Sequence, residues 1–124
     1  MTVRLLIADD TLHVRKMLVD ILDLHGFEIV GEAADGDEAV VRTAETDPDV
    51  VVMDLKMPRT DGLEAARRIR EGRDDQKVIL YSAYLDDDVR RQAQAIGVDT
   101  CVSKGQGIEA LAREISALVM DIGR

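Results

Sequence analysis

Val3-Arg4-Leu5-Leu6-Ile7-Ala8-Asp9-Asp10 is an apolar run that ends abruptly in two adjacent carboxylates. A short run of this kind fits a strand buried on both faces of a sheet. Buried carboxylates are costly unless they are paired or bound to a cation. Asp9 and Asp10 therefore belong at the carboxyl end of that strand, where an open sheet forms its ligand crevice. The motif recurs along the chain. Val50-Val51-Val52-Met53 ends in Asp54, Val78-Ile79-Leu80-Tyr81 in Ser82, and Thr100-Cys101-Val102-Ser103 in Lys104. Four strand ends would then bring three carboxylates, a hydroxyl and an ammonium to one edge of a sheet.

The 124 residues fit a single domain with a sizeable core. Hydrophobic residues make up 46% of the chain but aromatic ones only 2%, so the core must be aliphatic, as suits strands sandwiched between helices. The net charge of −9 opposes nucleic-acid binding unless a local basic patch overrides it. No such patch is visible: Arg67, Arg68, Arg70 and Arg73 alternate with Glu64, Glu71, Asp74 and Asp75. One cysteine cannot form an internal disulfide, and no stretch resembles a signal peptide or a membrane span. A soluble cytoplasmic protein that binds neither membrane nor nucleic acid is the expectation.

The pattern predicts five strands alternating with five helices. Residues 3–8 form the first strand, and Thr11 caps a helix whose buried stripe is Leu12, Val14, Met17, Leu18, Ile21 and Leu22. His25-Gly26 ends it, with Gly26 as a left-handed cap. Residues 27–33 alternate Phe27, Ile29, Gly31 and Ala33 against Glu28, Val30 and Glu32, as in a less buried edge strand. Asp35 and Glu38 have capping-box spacing, and the second helix runs to about 46, where Asp47-Pro48 stops it. A strand at 50–53 leads to a loop with Pro58 and Gly62 as breakers, then a helix to about 71. A strand at 78–81, a helix over 87–95 ended by Gly97, a strand near 99–103 and a helix over 108–121 complete the chain. In the last helix Ile108, Leu111, Ile115, Leu118 and Ile122 share one face. Right-handed crossovers make the sheet parallel, with helices on both faces.

The polar cluster suits phosphoryl chemistry. An aspartate anchored after four apolar residues, as Asp54 is, can attack phosphorus and form an acyl phosphate. Charge on the phosphoryl oxygens must be neutralised, and a divalent cation held by carboxylates serves. Asp10 and Asp54 are the candidate ligands, with Asp9 ligating directly or holding a metal-bound water. Mg²⁺ is preferred because every ligand is a hard oxygen. Lys104 supplies a point charge and Ser82 a hydroxyl donor, while the small Ala83 leaves an approach path. Taken singly, Asp9 and Asp10 also read as turn and cap residues, Asp54 as a plain strand end, Ser82 as a cap and Lys104 as a solvated loop lysine. Their shared position at strand ends favours the joint reading. Neither His13 nor His25 sits at a strand end, and both should face solvent. No GxxxxGK[ST] segment is present. Cys101 reads as a small core residue, and Met17 and Met53 as core fillers.

Taken in order, Ile7-Ala8-Asp9-Asp10, Val51-Val52-Met53-Asp54-Leu55-Lys56-Met57-Pro58-Arg59-Thr60-Asp61-Gly62, Leu80-Tyr81-Ser82-Ala83 and Val102-Ser103-Lys104 resemble the receiver domain of two-component response regulators. The resemblance covers essentially the whole chain. It implies a flavodoxin-like, doubly wound sheet of order 2-1-3-4-5, with Asp9, Asp10 and Asp54 meeting at the switch point. It further implies that Asp54 accepts a phosphoryl group from a histidine kinase or phosphotransfer protein. Mg²⁺ would be held by Asp9, Asp10, Asp54 and the backbone carbonyl of Lys56, while Ser82 and Lys104 contact the phosphoryl group. The surface of helix four, strand five and helix five would then change its affinity for a partner, a second copy or an output domain. Such a protein catalyses its own phosphorylation and dephosphorylation but is not a conventional turnover enzyme. No output domain is expected within residues 1–124, since only Gly123-Arg124 follow the last helix.

The chain departs from the family pattern in two places. The family often has Tyr or Phe three residues before the lysine, as the rotating partner of the hydroxyl; here Cys101 stands there. The family often has a cis proline after the lysine; here Gly105 follows, and a cis bond is intrinsically costly at a non-proline residue. Lys56 and Tyr84 flank Asp54, where side chains tune water access. The rival readings are a small phosphatase, disfavoured by the lack of a cap domain and an acid-base partner, and an interaction module indifferent to phosphate.

Overall fold

The computed structural model describes residues 2–122, with the side chains of 121 and 122 left aside. The expectations placed on the Ile122 side chain and on Gly123 and Arg124 fall outside what is described. The chain order is β1 (Arg4–Ala8), α1 (Leu12–Leu24), β2 (Glu28–Ala33), α2 (Gly36–Thr46), β3 (Val50–Met53), α3 (Gly62–Gly72), β4 (Lys77–Ser82), α4 (Asp87–Ile96), β5 (Thr100–Ser103), a 3-10 turn (Lys104–Gln106) and α5 (Ile108–Ile122). All strand pairs are parallel and the sheet order is β2-β1-β3-β4-β5, as expected.

The strand sequences are apolar at consecutive positions because both faces are covered. Leu5, Ile7, Val50, Val52, Ile79, Tyr81 and Val102 pack with Leu18 and Leu22 of α1 and Leu111 and Ile115 of α5. Leu6, Ala8, Val51, Met53, Val78 and Leu80 pack on the other face with Ala39 of α2, Ala65, Ala66 and Ile69 of α3 and Ala93 of α4. Alanines dominate the buried helix residues of the second face.

Several expectations are corrected. Phe27, Ile29, Gly31 and Ala33 do not share a face. The register jumps from Leu5↔Ile29 to Leu6↔Gly31, so Val30 is an extra residue in β2. Such a bulge inverts every later side chain. Phe27 and Ile29 accordingly lie on the α1/α5 face, while Ala33 lies on the other. In α1 the inward stripe is Val14, Leu18 and Leu22; Leu12 and Met17 are exposed, at 59% and 48%, so Met17 is no core filler whereas Met53 is. Thr11 occupies the N-cap position but its hydroxyl makes no capping bond. Gly62 does not break α3 but opens it, with Asp61 as the N-cap accepting from the Glu64 amide. In the box at α2, Asp35 accepts from Glu38 N, but the Glu38 carboxylate accepts from the Ala34 amide instead of the Asp35 amide.

Two expectations about surface chemistry hold. Glu64 pairs with both Arg67 and Arg68, Arg67 also pairs with Glu71, and Arg73 pairs with Asp47 and Asp75, so these arginines are neutralised locally. Hydrogen bonds from Arg67 and Arg68 hold the Glu64 carboxyl down at about 2. No described helix is long and apolar enough to cross a membrane.

Candidate functional site

The register of the sheet assembles the site. Ala8 pairs with Met53, so Asp9 and Asp54 emerge one residue later at the same level of neighbouring strands. Their backbones are fixed there: Asp9 N donates to Ala33 O at 3.0 Å and Asp54 N to Ala8 O at 2.9 Å. Strand side chains alternate between faces, so Asp9, following Ile7, and Asp54, following Val52, project on the α1/α5 side. Lys104 follows Val102 with the same parity. Its ammonium donates to Asp9 Oδ2 at 2.9 Å and to Asp54 Oδ2 at 3.0 Å. One ammonium thus bridges the two strand-end carboxylates.

Asp9 and Asp54 are almost fully buried, at 1% and 7% exposure. Each has its second carboxylate oxygen on a backbone amide: Asp9 Oδ1 accepts from Thr11 N at 2.9 Å, and Asp54 Oδ1 from Leu55 N at 2.7 Å. Asp10 is exposed and carries no side-chain hydrogen bond among the described residues. The three carboxylates nevertheless offer oxygens within 4.8 Å of one another, a spacing and an all-oxygen chemistry that fit one hard divalent cation. Burial pulls the Lys104 ammonium toward a lower pKa, but its hydrogen bonds to Asp9 and Asp54 and their charges outweigh it and leave it raised. Lys104 is therefore a permanent cation at working pH.

The turn that presents Lys104 is itself braced. The Ser103 hydroxyl accepts from Gly105 N at 3.2 Å, and Gln106 Oε1 accepts from Ser103 N at 3.0 Å. The Lys104–Gly105 bond is trans, as are all described peptide bonds.

Ser82 is completely buried, but no hydrogen bond joins it to Asp54 or Lys104 among the described residues. Its hydroxyl instead accepts from Tyr84 N at 3.2 Å, which ties it to its own loop. Ala83 and Lys56 are exposed. Tyr84, 55% exposed, stacks under Lys56, whose ammonium lies 4.2 Å from the ring centroid. The loops after β3 and β4 thus meet across the mouth of the site, a contact the sequence did not reveal. Cys101 pairs with Leu80 and packs partly buried on the α2–α4 face; burial pushes its thiol pKa up, against the pull of Arg90. His13 is exposed as expected, and His25 is exposed while hydrogen bonding to Ile21 O and Glu109.

Residues 5–116 match the response regulator receiver domain family. The chain belongs to that family. It is 36% identical over 132 residues to the transcriptional regulatory protein PdtaR of Mycobacterium tuberculosis, a match that covers 93% of this chain and 64% of the relative, so the chain spans somewhat under two thirds of that protein's length. Among solved structures it is similar to a DNA-binding response regulator of the LuxR family from Staphylococcus aureus, with a TM-score of 0.89 and 32% identity over 94% of this chain and 98% of the other. It is also similar to the response regulator protein TrrA of Thermotoga maritima, solved in complex with Mg²⁺ and BeF, with a TM-score of 0.84 and 32% identity over 95% and 99% of the two chains. The acidic cluster of Asp9, Asp10 and Asp54 is in keeping with phosphorylation-dependent signalling by a receiver domain.

Proposed function

We propose that this receiver accepts a phosphoryl group on Asp54 from a histidine kinase or phosphotransfer protein, and that Mg²⁺ supports the reaction. The observation that carries this reading is the Lys104 ammonium shared by Asp9 and Asp54 beside Asp10. The Mg²⁺–BeF complex of TrrA supports the choice of cation and phosphoryl chemistry. Asp9, Asp10, Asp54 and the Lys56 carbonyl would hold the ion. Bound there, it would neutralise charge on phosphoryl oxygens.

The residues of the chain divide the remaining work. An Asp54 carboxylate oxygen attacks the phosphorus of phosphohistidine, the P–N bond breaks, and its electron pair leaves with the imidazole nitrogen. Lys104, already fixed on Asp54, balances the charge of the acyl phosphate. Ser82, released from Tyr84 N, donates its hydroxyl to a phosphoryl oxygen and draws the β4–α4 loop inward. Hydrolysis reverses the modification: water attacks phosphorus and the bond to Asp54 oxygen breaks. Lys56 and Tyr84, stacked over the mouth, set how readily that water enters. Ala83 leaves the approach open.

The chain acts as one receiver domain and signals through the α4–β5–α5 surface to a second copy, a protein partner or an output domain. Cys101 has no ring to bury or expose, so movement of the loop at Ser82 carries the switch alone. A full two-state reversal needs about 5.5 kcal/mol of differential interaction. The test is incubation with acetyl phosphate and Mg²⁺ followed by intact-mass measurement. One phosphate adduct on the wild type, absent in Asp54→Ala and in EDTA, is expected. An adduct that persists in Asp54→Ala would refute the assignment.

A further inference from the structure

We propose that Arg15 and Glu32 are positioning residues that set the divalent-cation affinity of the carboxylate cluster; the proposal rests on the reading of that site given above. Arg15 is on the first turn of α1 and its side chain is only 13% exposed. Its Nη1 donates to the backbone carbonyl of Asp9 at 2.7 Å, and its Nε to Glu32 Oε1 at 3.0 Å. Glu32, on the edge strand β2, pairs in register with Ile7 and binds Lys16 through its other oxygen at 3.0 Å. Burial pushes the Glu32 carboxyl up, but the hydrogen bonds from Lys16 and Arg15 prevail and keep it below its ordinary range, so it stays ionised beside the guanidinium.

The carbonyl that Arg15 grips belongs to the peptide joining Asp9 to Asp10. Asp9 is anchored independently, through its amide to Ala33 O and its carboxylate to Thr11 N and Lys104. Asp10 has no such anchor: it is exposed and its carboxylate has no hydrogen bond among the described residues. Rotation of the Asp9–Asp10 peptide would carry the Asp10 carboxylate with it, and Arg15 resists that rotation from one end while Glu32 fixes Arg15 from the other. Ligating groups need to be held to within about 0.5 Å, and the partners that orient them weigh heavily on affinity. Lysine cannot substitute, because a single ammonium lacks the planar fork that reaches both acceptors.

The test is calorimetric titration of Mg²⁺ into the folded, unphosphorylated protein, with thermal unfolding followed in parallel without Mg²⁺. Arg15→Lys keeps the charge and removes the fork; it is expected to weaken Mg²⁺ binding by about ten-fold. Glu32→Gln is expected to shift affinity in the same direction by less. Lys16→Gln, which touches Glu32 but not Asp9, should leave affinity near the wild-type value. A merely structural arginine would lower the unfolding temperature and leave the affinity of the folded protein unchanged, and that result overturns the proposal. Equal losses in Lys16→Gln and Arg15→Lys also overturn it. Absence of Mg²⁺ binding by the wild type would instead overturn both this proposal and the site reading beneath it.

Discussion

Replacing Gly62 by alanine tests how the fold places Asp54. Gly62 opens α3, and its amide donates to Leu55 O at 2.7 Å. A methyl group added there would overlap the carbonyl oxygen of Asp54 and lie 3.0 Å from both the Asp54 carbonyl carbon and Leu55 Cα. Two effects oppose one another. Helix propensity alone would favour alanine by about 1 kcal/mol. The clash is with backbone that is tied to β3 and cannot move aside cheaply, and overpacking of this kind costs about 1–3 kcal/mol or more. The clash should win, for a net loss of up to about 2 kcal/mol, or up to about 8 °C in Tm at this chain length. Gly72, in the same helix, has no atom within 4 Å of an added methyl. Gly72→Ala should therefore stabilise, by up to about 1 kcal/mol. Urea unfolding of both variants measures the contrast, and acetyl phosphate labelling should slow only in Gly62→Ala, where the Asp54 peptide is pushed. Equal stability changes in the two variants would refute the reasoning, because propensity would then outweigh the contact.

Removing the shared cation should be costly. Lys104→Met leaves Asp9 and Asp54 buried without their ion pair, and with Lys104 itself 25% exposed the loss should be about 1–3 kcal/mol, partly recovered when Mg²⁺ is added. Urea titrations with and without Mg²⁺ measure both halves. Asp10→Asn should act in the opposite sense on the Mg²⁺-free protein, raising stability by at most about 1 kcal/mol, because it removes one of three crowded carboxylates that has no hydrogen bond to lose. The same substitution should abolish stabilisation by Mg²⁺, read as a Tm that no longer responds to the ion. His25 supplies a pH dependence: its hydrogen bond to the Ile21 carbonyl, then Glu109, raises its pKa. That contribution is full below about pH 6.5, the unfolded value, and is lost as pH rises through the folded one. Tm measured across this range should fall in the wild type and stay flatter in His25→Asn.

The sheet was legible because each apolar run is buried on two faces and each ends at a polar residue. Leu5–Ala8 and Val50–Met53 read as strands from residue type alone, and the resemblance supplied their order. The bulge at Val30 was hidden, since Phe27, Ile29, Gly31 and Ala33 look like uninterrupted alternation; only the pairing with Leu5 and Leu6 shows the jump. In α1, Leu12 and Met17 are apolar on the outward face, so periodicity offered two overlapping stripes and composition could not choose between them. Within the site, Asp9, Asp54 and Lys104 were legible as strand-end residues. Arg15 was not: its two partners lie six residues before it and on another strand. The Lys56–Tyr84 stack was hidden for the same reason, as it joins loops whose separation is set only by the β3–β4 pairing.

The site also shows why its three carboxylates are not equivalent. Asp9 and Asp54 each place one oxygen on a backbone amide and the other on Lys104, so the protein itself meets most of their desolvation cost. Asp10 is left in water, where carrying a charge unpaired costs little. One ammonium against three carboxylates still leaves two negative charges concentrated at the mouth. A divalent cation would remove that excess, and the exposed Asp10 gives it a route that does not require breaking the buried pairs first. Burial would hold Asp54 in place for the proposed attack, while the exposure of Asp10 would keep a bound cation exchangeable. Both follow from one sequence detail, that the apolar run of β1 is followed by two aspartates and the run of β3 by only one.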